Sequence, residues 1–374
     1  MYNILLSAGL AFLVTFFAIP VIIQVAKSKK LFDEPDERKV HKAVIPTLGG
    51  LGIFAGFIIA TLMGVQKDLA AELQYFAAAS IVIFFLGIKD DIMVLSATKK
   101  FIGQLLAAGI VIKFGGIQIT NMHGLLGIYK IPYIASICLT VFTIIVITNS
   151  FNLIDGVDGL AGSLGLLTTL VFGVYFTLNG DILYAVMALS LAGSLLGFLL
   201  YNFSPAKIFM GDTGSLLLGL INSILVIKFI TTAGNPASRV SLEAAPAIGF
   251  AILMIPLFDT LRVFGSRILD RRSPFSADRS HVHHFLLDLG FSHKKITITC
   301  VAANIFFIAT AYFLRQYGTT TVIGILLCTG LAFIGTIYFS RPKSRTVSEE
   351  IISNTEMIKT HKVLTLASEA VEAE

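Results

Sequence analysis

The sequence predicts an all-α integral membrane protein with about eleven transmembrane helices, and three observations lead there. Hydrophobic residues make up 55% of the 374 residues and charged residues only 14%, whereas soluble globular proteins carry about 25% charged residues. The mean hydropathy is +0.84. Continuous apolar runs approach the ~20 residues that cross a ~30 Å hydrocarbon core, and a transmembrane β-barrel would show alternating segments instead. These runs lie at about 3–26, 48–66, 73–88, 100–118, 131–149, 160–178, 182–200, 213–231, 245–264, 295–314 and 320–339.

The distribution of basic residues predicts how the runs are oriented. The segments after the odd-numbered runs, including the tail, hold 22 of the 28 Lys and Arg residues. Because Lys and Arg are enriched on the cytoplasmic side, the N-terminus is expected outside and the C-terminus in the cytoplasm. A transmembrane domain, 1–340, is then followed by a polar and partly disordered tail, 341–374. The net charge is +5, and the basic residues that produce it lie beside predicted spanning segments. This position favours contact with lipid over a nucleic-acid partner.

The segments on the predicted cytoplasmic side are called the inner loops here, and they carry most of the unusual polar residues. The first inner loop, 33–50, contains Arg38, Lys39 and His41. This pattern is typical either of an ordinary basic loop beside the membrane or of a site for phosphate or anionic lipid.

The second inner loop places two adjacent acids, Asp90 and Asp91, at the end of an apolar run. Carboxylates at the edge of the bilayer are costly unless a cation compensates them. Lys100 and Gln104 stand at the start of the next run. The acids therefore form either a solvated helix end that faces lysine side chains or a Mg²⁺ site that receives a lipid phosphate.

The third inner loop, NSFNLIDGVDGL, repeats polar residues at a spacing of three: Asn149, Asn152, Asp155 and Asp158. If the helix continues past the membrane, these side chains line one face of it. The loop has no Lys or Arg, so nothing within it compensates the acids. Amide and carboxylate oxygens suit Mg²⁺ or the polar edges of a nucleotide.

The fourth inner loop has a single acid, Asp212, between Gly211 and the sequence TGS at the start of a run. Asp is a favoured residue for capping a helix N-terminus. The same position also suits a metal–phosphate site, because free backbone N–H groups attract anions. The motif alone leaves both interpretations open.

The fifth inner loop contains three closely spaced histidines, His281, His283 and His284, with Arg279 nearby. A structural zinc site is one interpretation, but the inner loops contain no Cys. Histidines beside arginines better suit binding of a diphosphate and stabilisation of charge in phosphoryl transfer. The following FLLDLG predicts a short amphipathic helix against the membrane.

Taken together, these loops predict metal-assisted phosphoryl transfer that involves diphosphates. No P-loop or GxGxxG fingerprint is present, so a nucleotide-binding domain of the soluble type is not expected. A secondary transporter is the competing class. Transporters usually bind near the bilayer midplane and often contain inverted repeats, whereas here the acids lie at helix ends and no repeat is visible.

Five ordered motifs carry a specific resemblance: D-x-P-x-x-R-K-x-H-x-x-x-x-P-x-x-G-G (33–50), D-D-x-x-x-L-x-x-x-x-K-x-x-x-Q (90–104), N-x-x-N-x-x-D-G-x-D-G-L (149–160), F-M-G-D-T-G-S (209–215) and R-S-P-F-S-x-D-R-x-H-x-H-H (272–284). The chain resembles the polyprenyl-phosphate N-acetylhexosamine-1-phosphate transferases up to about residue 340. The last motif is similar to that of the bacterial undecaprenyl-phosphate GlcNAc-1-phosphate transferases. In the branch that handles phospho-MurNAc-pentapeptide, three histidines are consecutive, but here Val282 interrupts them. That branch remains the alternative.

The resemblance implies a reaction at the cytoplasmic face of the bacterial inner membrane. Undecaprenyl phosphate attacks a UDP-N-acetylhexosamine, UMP leaves, and the lipid diphosphate sugar starts cell-envelope polysaccharide synthesis. Mg²⁺, or Mn²⁺ in its place, is the implied cofactor. The implied metal ligands are Asn152, Asp212 and Asp91. The implied catalytic residues are Asp90, Asp91, His281, His283 and His284. The implied substrate-binding residues are Arg38, Lys39, His41, Lys100, Gln104, Asn149, Asp155, Asp158 and Arg279.

Overall fold

The computed structural model describes residues 2–29, 45–65, 70–273 and 280–341. Within these residues the helices are α1 (Tyr2–Lys29), α2 (Gly49–Gly64), α3 (Ala70–Ile92), α4 (Ala97–Lys113), α5 (Tyr133–Ile154), α6 (Leu160–Asn179), α7 (Ile182–Asn202), α8 (Gly211–Ala233), α9 (Ala245–Ile252), α10 (Met254–Leu269), α11 (Val282–Asp288), α12 (His293–Leu314) and α13 (Thr319–Ser340). Two short strands, β1 (Asn121–Leu125) and β2 (Ile128–Lys130), pair as an antiparallel hairpin between α4 and α5.

Every apolar run of the sequence contains a helix, and the run at 245–264 contains the broken pair α9 and α10. Eight described helices are long and apolar enough to cross a membrane, and the broken pair would make a ninth span. The prediction of an all-α, multi-pass membrane protein is therefore confirmed. Two runs hold shorter helices, the 16-residue α2 and the 17-residue α4.

The short helix α2 nevertheless runs from one end of the bundle to the other. We call the end where α3, α5 and α7 finish and α4, α6 and α8 begin the inner end, and the opposite end the outer end. At the inner end, the backbone N–H of Gly49 donates to the carbonyl of Phe209 (2.9 Å). At the outer end, Gly64 lies against Ser7 near the start of α1. The helix α4 spans the bundle likewise, from Lys100 at the inner end to Gly115, which packs against the ring of Phe76.

Helix α8 is the central helix and packs against α2, α3, α5, α6 and α9. Small residues permit this packing, since helices in a membrane associate through close van der Waals contact. A Cβ on Gly50 would lie 2.2 Å from the backbone nitrogen of Gly214, and a Cβ on Gly87 would lie 2.4 Å from the Cα of Thr213. The first turn of α8 is therefore packed closely between the backbones of α2 and α3, and this packing fixes the position of Asp212.

The helix pair α9 and α10 meets at an angle of 86°. Asn304 of α12 is fully buried beside the break. Its side-chain amide donates to the carbonyl of Ile252 (2.9 Å) and its oxygen accepts from the backbone N–H of Ile255 (3.0 Å). Since unpaired backbone groups are costly inside a membrane, this one side chain stabilises the break. The break directs α10 toward the inner end.

The β-hairpin closes the outer end, where no structure was expected. Four residues in or beside its turn have positive φ, namely His123, Gly124, Leu126 and Gly127. The hydroxyl of Thr319, at the start of α13, donates to the carbonyl of His123 (2.9 Å). The hydroxyl of Thr320 accepts from the backbone N–H of Leu126 (2.8 Å). The hairpin thus ties α13 to the α4–α5 connection, on the side opposite the inner loops.

Candidate active site

Asp212 lies in the first turn of α8, at the centre of the inner end. The residue before the helix, Met210, provides no side-chain cap. Instead, the carboxylate of Asp91, at the end of α3, accepts from the backbone N–H groups of Asp212 (2.7 Å) and Thr213 (3.0 Å) and from the Thr213 hydroxyl (2.5 Å). An acid satisfies helix N-terminal donors in this way. Capping therefore belongs to Asp91, and the carboxylate of Asp212 is left to meet other groups.

The ammonium of Lys100 lies between two carboxylates. Its Nζ is 2.7 Å from Oδ2 of Asp212, and it forms a second ion pair with Asp90. The side chain of Asp90 is only 4% exposed and also accepts from the backbone N–H of Leu95 (2.6 Å). The acid pair is thus divided, because Asp90 faces Lys100 while Asp91 faces the start of α8.

Two asparagines on α5 extend the cluster in different ways. Asn152 donates from Nδ2 to Oδ1 of Asp212 (2.8 Å) and to the hydroxyl of Ser215 (3.0 Å). Asn149, one turn earlier, pairs with Gln104 of α4 through its Nδ2 (2.8 Å). Asn152 is therefore in direct contact with the Asp212 carboxylate. Asn149 and Gln104 satisfy each other beside it, which fixes α4 against α5 next to the cluster.

The third inner loop does not continue as a helix, so the expectation of four polar residues on one helical face is wrong for its second half. Helix α5 ends at Ile154, and Asp155 and Asp158 lie in the turn that follows. Asp158 is buried, accepts from the backbone N–H of Ala206 (3.1 Å) and lies 3.3 Å from Nδ1 of His293. Asp158 thus joins the third and fourth loops to α12, because the turn directs it away from the α5 face.

The histidine cluster begins the short helix α11, which confirms the helix expected in this loop. The rings of His281 and His283 are parallel, with centroids 5.9 Å apart, and the ring of His284 is 4.3 Å from that of His283. Gly156 of the third loop touches this cluster, since a Cβ there would lie 2.6 Å from Nε2 of His283. The third and fifth loops are therefore in contact.

His283 is a neutral group at physiological pH. Burial, together with the neighbouring ring of His284, lowers the pKa of His283 to about 3. A neutral imidazole can offer a hydrogen bond to a diphosphate but no positive charge. Any charge stabilisation at this site has to come from other residues.

Four of the expected substrate-binding residues lie outside the described part of the chain. These are Arg38, Lys39 and His41 in the first inner loop, and Arg279 in the fifth. The roles expected for them stay predictions. The described neighbours of both segments, Thr47 beside Gly211 and Ser280 beside Arg262, do lie at the inner end.

Comparison with known proteins identifies the family. The model of glycosyl transferase family 4 matches residues 73–230. The decaprenyl-phosphate N-acetylglucosaminephosphotransferase of Mycobacterium leprae (strain TN) is 32% identical over 354 residues, covering 87% of this chain and 88% of the relative. The probable undecaprenyl-phosphate N-acetylglucosaminyl 1-phosphate transferase of Bacillus subtilis (strain 168) is 34% identical over 323 residues, covering 84% and 86%. The chain belongs to glycosyl transferase family 4.

A third relative agrees with this assignment. The undecaprenyl-phosphate alpha-N-acetylglucosaminyl 1-phosphate transferase of Escherichia coli (strain K12) is 28% identical over 289 residues, covering 75% of this chain and 76% of the relative. The protein is therefore a multi-pass membrane phosphotransferase, and we refer to it below as the transferase.

The acids of the transferase leave one carboxylate without a partner. Among the described residues, no hydrogen bond or ion pair reaches the side chain of Asp155. Desolvation, together with the carboxylates of Asp212, Asp91 and Asp158, raises the pKa of Asp155 to about 8. A bound cation would relieve this repulsion. The donor set of the cluster, carboxylate and amide oxygens, is the kind that Mg²⁺ prefers, so the residues fit the implied metal.

The cluster is not a closed metal cage. Within the described residues, no three His, Cys, Asp or Glu side chains are already arranged to hold a metal ion. Mg²⁺ usually takes one or two carboxylates and completes its shell with water and substrate phosphate. Asp212, with Asn152 against it, therefore remains the best candidate pair. Asp91 is a weaker candidate, because both of its oxygens already accept hydrogen bonds from the start of α8.

The sequence-based prediction of the site did not include two polar residues of α10, Asp259 and Arg262. Asp259 is 2% exposed and its Oδ2 lies 2.8 Å from Nδ1 of His281. Arg262 donates from Nη2 to Oδ1 of Asp259 (2.8 Å). Both lie within the apolar run at 245–264, which was taken as one plain span. An ionisable residue within a membrane span is by default a candidate for a functional site. That rule, applied to this run, would have identified Asp259 and Arg262.

Proposed function

We propose that the transferase moves N-acetylglucosamine 1-phosphate from UDP-GlcNAc to undecaprenyl phosphate and releases UMP. The resulting lipid-linked sugar would start the synthesis of a cell-envelope polysaccharide. The observation that carries this function is the meeting of three inner loops around Lys100, Asp212 and Asn152, with the histidine loop beside them. The names of the relatives favour GlcNAc over a MurNAc-pentapeptide and an enzyme over a transporter.

Positioning and neutralisation of charge are the main tasks in phosphoryl transfer. A phosphate monoester is largely ionised at neutral pH, since its second pKa is about 6. The attacking phosphate is therefore already deprotonated, so the protein has to bind and orient it more than it has to provide a general base. Lys100 is the described cation nearest the acids, and it supplies a point charge that can pass from Asp90 and Asp212 to an incoming lipid phosphate. Asp90, which holds that ammonium, sets where the phosphate would sit.

Mg²⁺ is proposed as the cofactor, held by Asp212 and Asn152, with Asp155 nearby. When bound, it would neutralise the diphosphate of the sugar nucleotide and the charge that develops on UMP. The neutral imidazole of His283 and the other histidines would meet the same diphosphate from the opposite loop. The charge asymmetry of the sequence supports a cytoplasmic position for this inner end, and the bacterial relatives support the cytoplasmic membrane of a bacterium as the location.

The test is turnover by the purified transferase in detergent with UDP-GlcNAc, undecaprenyl phosphate and Mg²⁺. We expect UMP and a lipid-linked sugar in equal amounts, and loss of both when EDTA removes the metal. Asp212→Asn should lower the rate at least 100-fold, because it removes the charge that both Lys100 and the metal require. Asp288→Asn is the matched control, since that acid pairs with Arg341 at the surface (3.2 Å), and it should retain the full rate.

Two results would contradict this function. One is a folded, metal-loaded wild-type protein that forms no UMP with UDP-GlcNAc or any other UDP-N-acetylhexosamine. The other is wild-type turnover by Asp212→Asn, which would remove this residue from the reacting centre. Equal rates with UDP-GlcNAc and with UDP-MurNAc-pentapeptide would overturn the assignment of the sugar alone.

A further inference from the structure

A buried carboxylate on α10 holds the first histidine of the fifth loop. Oδ2 of Asp259 lies 2.8 Å from Nδ1 of His281, and both side chains are almost fully buried. Oδ1 of the same carboxylate accepts from the backbone N–H of Val282 (3.1 Å) and from Nη2 of Arg262 (2.8 Å). Both oxygens of Asp259 are thus engaged: Oδ2 pairs with His281, and Oδ1 accepts from Val282 and Arg262.

Arg262 braces this pair from the other side. Its Nη2 also donates to the carbonyl of Ser280 (2.5 Å), and its guanidinium lies 5.3 Å from the centre of the Phe285 ring. Asp259 and Arg262 therefore hold the backbone both before and after His281. They stand three residues apart on one helix, so their side chains are neighbours on the surface of α10.

The contact at Nδ1 determines what His281 can offer elsewhere. A carboxylate beside Nδ1 keeps a proton on that nitrogen, and the second nitrogen, Nε2, is then the one available to a ligand. The ring of His281 is also parallel to that of His283, whose Nε2 lies against Gly156 of the third loop. His281 and His283 therefore lie between Asp259 and the loop that carries the acids.

We propose that Asp259, braced by Arg262, is a positioning residue of the transferase: it fixes the tautomer and the orientation of His281, so that Nε2 meets the diphosphate of the donor. This role rests on the proposed function. A buried ion pair is weak evidence for stability, since apolar residues of similar size often serve as well. Asp259 also lines an apolar pocket with Phe258 and Phe307, where a charged group with no purpose beyond packing would be expensive.

A double-mutant cycle separates positioning from a purely structural role. Asp259→Asn, His281→Ala and the double variant are compared by kcat and by KM for UDP-GlcNAc. Asp259→Asn alone should lower kcat about 10- to 100-fold, by analogy with the loss that follows removal of the carboxylate partner of a metal-ligating histidine. If Asp259 acts through His281, the same change in the His281→Ala background should cost less than about 2-fold. An equal loss in both backgrounds would overturn the role, and so would full activity of Asp259→Asn.

Controls keep this result interpretable. Asp288→Asn removes a nearby acid–arginine pair and should leave kcat unchanged. If Asp259→Asn fails to fold, His281→Asn replaces it, because the asparagine amide can still donate to Asp259 while Nε2 is lost. That variant should show the wild-type melting temperature and a reduced kcat, and a wild-type kcat would overturn the role of Nε2. A wild-type protein without turnover would instead contradict the proposed function.

Discussion

At the scale of single residues, adjacent acids do different work in this site. Asp91 caps the first turn of α8, an interaction that contributes about 1 kcal/mol in helices generally. Asp90 and Asp212 share the ammonium of Lys100. Asp155 has neither kind of partner among the described residues, and desolvation together with the carboxylates around it raises its pKa to about 8. The four acids therefore comprise one cap, two cation-binding groups and one carboxyl group that is largely protonated at neutral pH.

The raised pKa of Asp155 predicts a pH dependence of stability in the metal-free transferase. Asp155 has a pKa of about 8 when folded and about 3.9 when unfolded, so the folded state binds more protons between these values. The free energy of unfolding must then fall as the pH rises toward 8. His283, with a folded pKa of about 3, changes its contribution mostly below about pH 7, because an unfolded histidine has a pKa of about 6.5. The interval from about pH 7 to about pH 8.5 therefore contains most of the contribution of Asp155.

The measurement is the apparent melting temperature in detergent with EDTA at these two pH values. Wild type should be less stable at pH 8.5, and Asp155→Asn should remove much of that difference because the amide stays neutral. Added Mg²⁺ should have a similar effect on wild type. An unchanged pH difference in Asp155→Asn would show that other groups cause it.

At the scale of elements, the break between α9 and α10 positions the fifth loop. Helix α10 turns 86° away from α9 and carries Asp259 and Arg262 to the histidines. The break depends on Asn304, whose amide replaces the helical partners of Ile252 and Ile255. One side chain on α12 therefore stabilises the geometry on which the proposed positioning of His281 rests.

Asn304→Leu should destabilise the transferase and reduce its turnover. The substitution leaves a buried carbonyl and a buried N–H unpaired, at about 1–3 kcal/mol each. We expect a melting temperature several degrees lower and a reduced kcat, since α10 loses its support. Thr310→Val on the same helix is the control, because that exposed hydroxyl bonds only within its own helix, to Phe306 (2.9 Å). Equal melting temperatures for the two variants would contradict the role of Asn304.

At the scale of the whole molecule, the polar groups separate into two ends. The expected inner loops meet at one end, through Lys100, Asn152 and Asp212. The hairpin and the start of α13 meet at the other, through His123 and Thr319. This separation agrees with alternate crossings by eleven segments, including the short helices α2 and α4. The excess of Lys and Arg in the inner loops predicts that the inner end faces the cytoplasm.

Labelling of single cysteines tests that orientation. The three native cysteines, Cys138, Cys300 and Cys328, are free thiols and are first replaced by alanine. Lys130→Cys in the exposed hairpin should react with a membrane-impermeant maleimide in intact spheroplasts. Lys207→Cys in the exposed fourth inner loop should react only after permeabilisation. The reverse pattern would invert the topology and separate the site from the cytoplasm.

Hydropathy and charge were sufficient to predict the spans, because the bilayer imposes one requirement on every crossing segment. The start of α8 before Asp212 and the short helix α11 were predicted from local motifs. The division between Asp90 and Asp91 could not be, since it depends on which neighbouring helix each side chain faces. The same holds for Asn304, whose partners lie about fifty residues away in the chain.

The turn after Ile154 and the hairpin at Asn121–Lys130 were missed for a different reason. A three-residue spacing of polar groups is compatible with a helix, but Gly156 and Gly159 permit the chain to leave it, and Gly159 has φ +74°. In the hairpin, positive φ values at Gly124 and Gly127 form the turn. Glycine permits such conformations without requiring them, so tertiary contacts decide.

The contact of Asp91 with the start of α8 constrains the rotational register of α3, that is, which residue of α3 faces which neighbouring helix. Successive residues on an α-helix point about 100° apart, and this angle lets Asp90 face Lys100 while Asp91 faces α8. Inserting or deleting one residue in α3 would rotate both carboxylates away from their partners, although the sequence would still contain two adjacent acids. The spacing between Gly87, which lies against Thr213, and the acids is therefore as much a part of the site as the acids themselves.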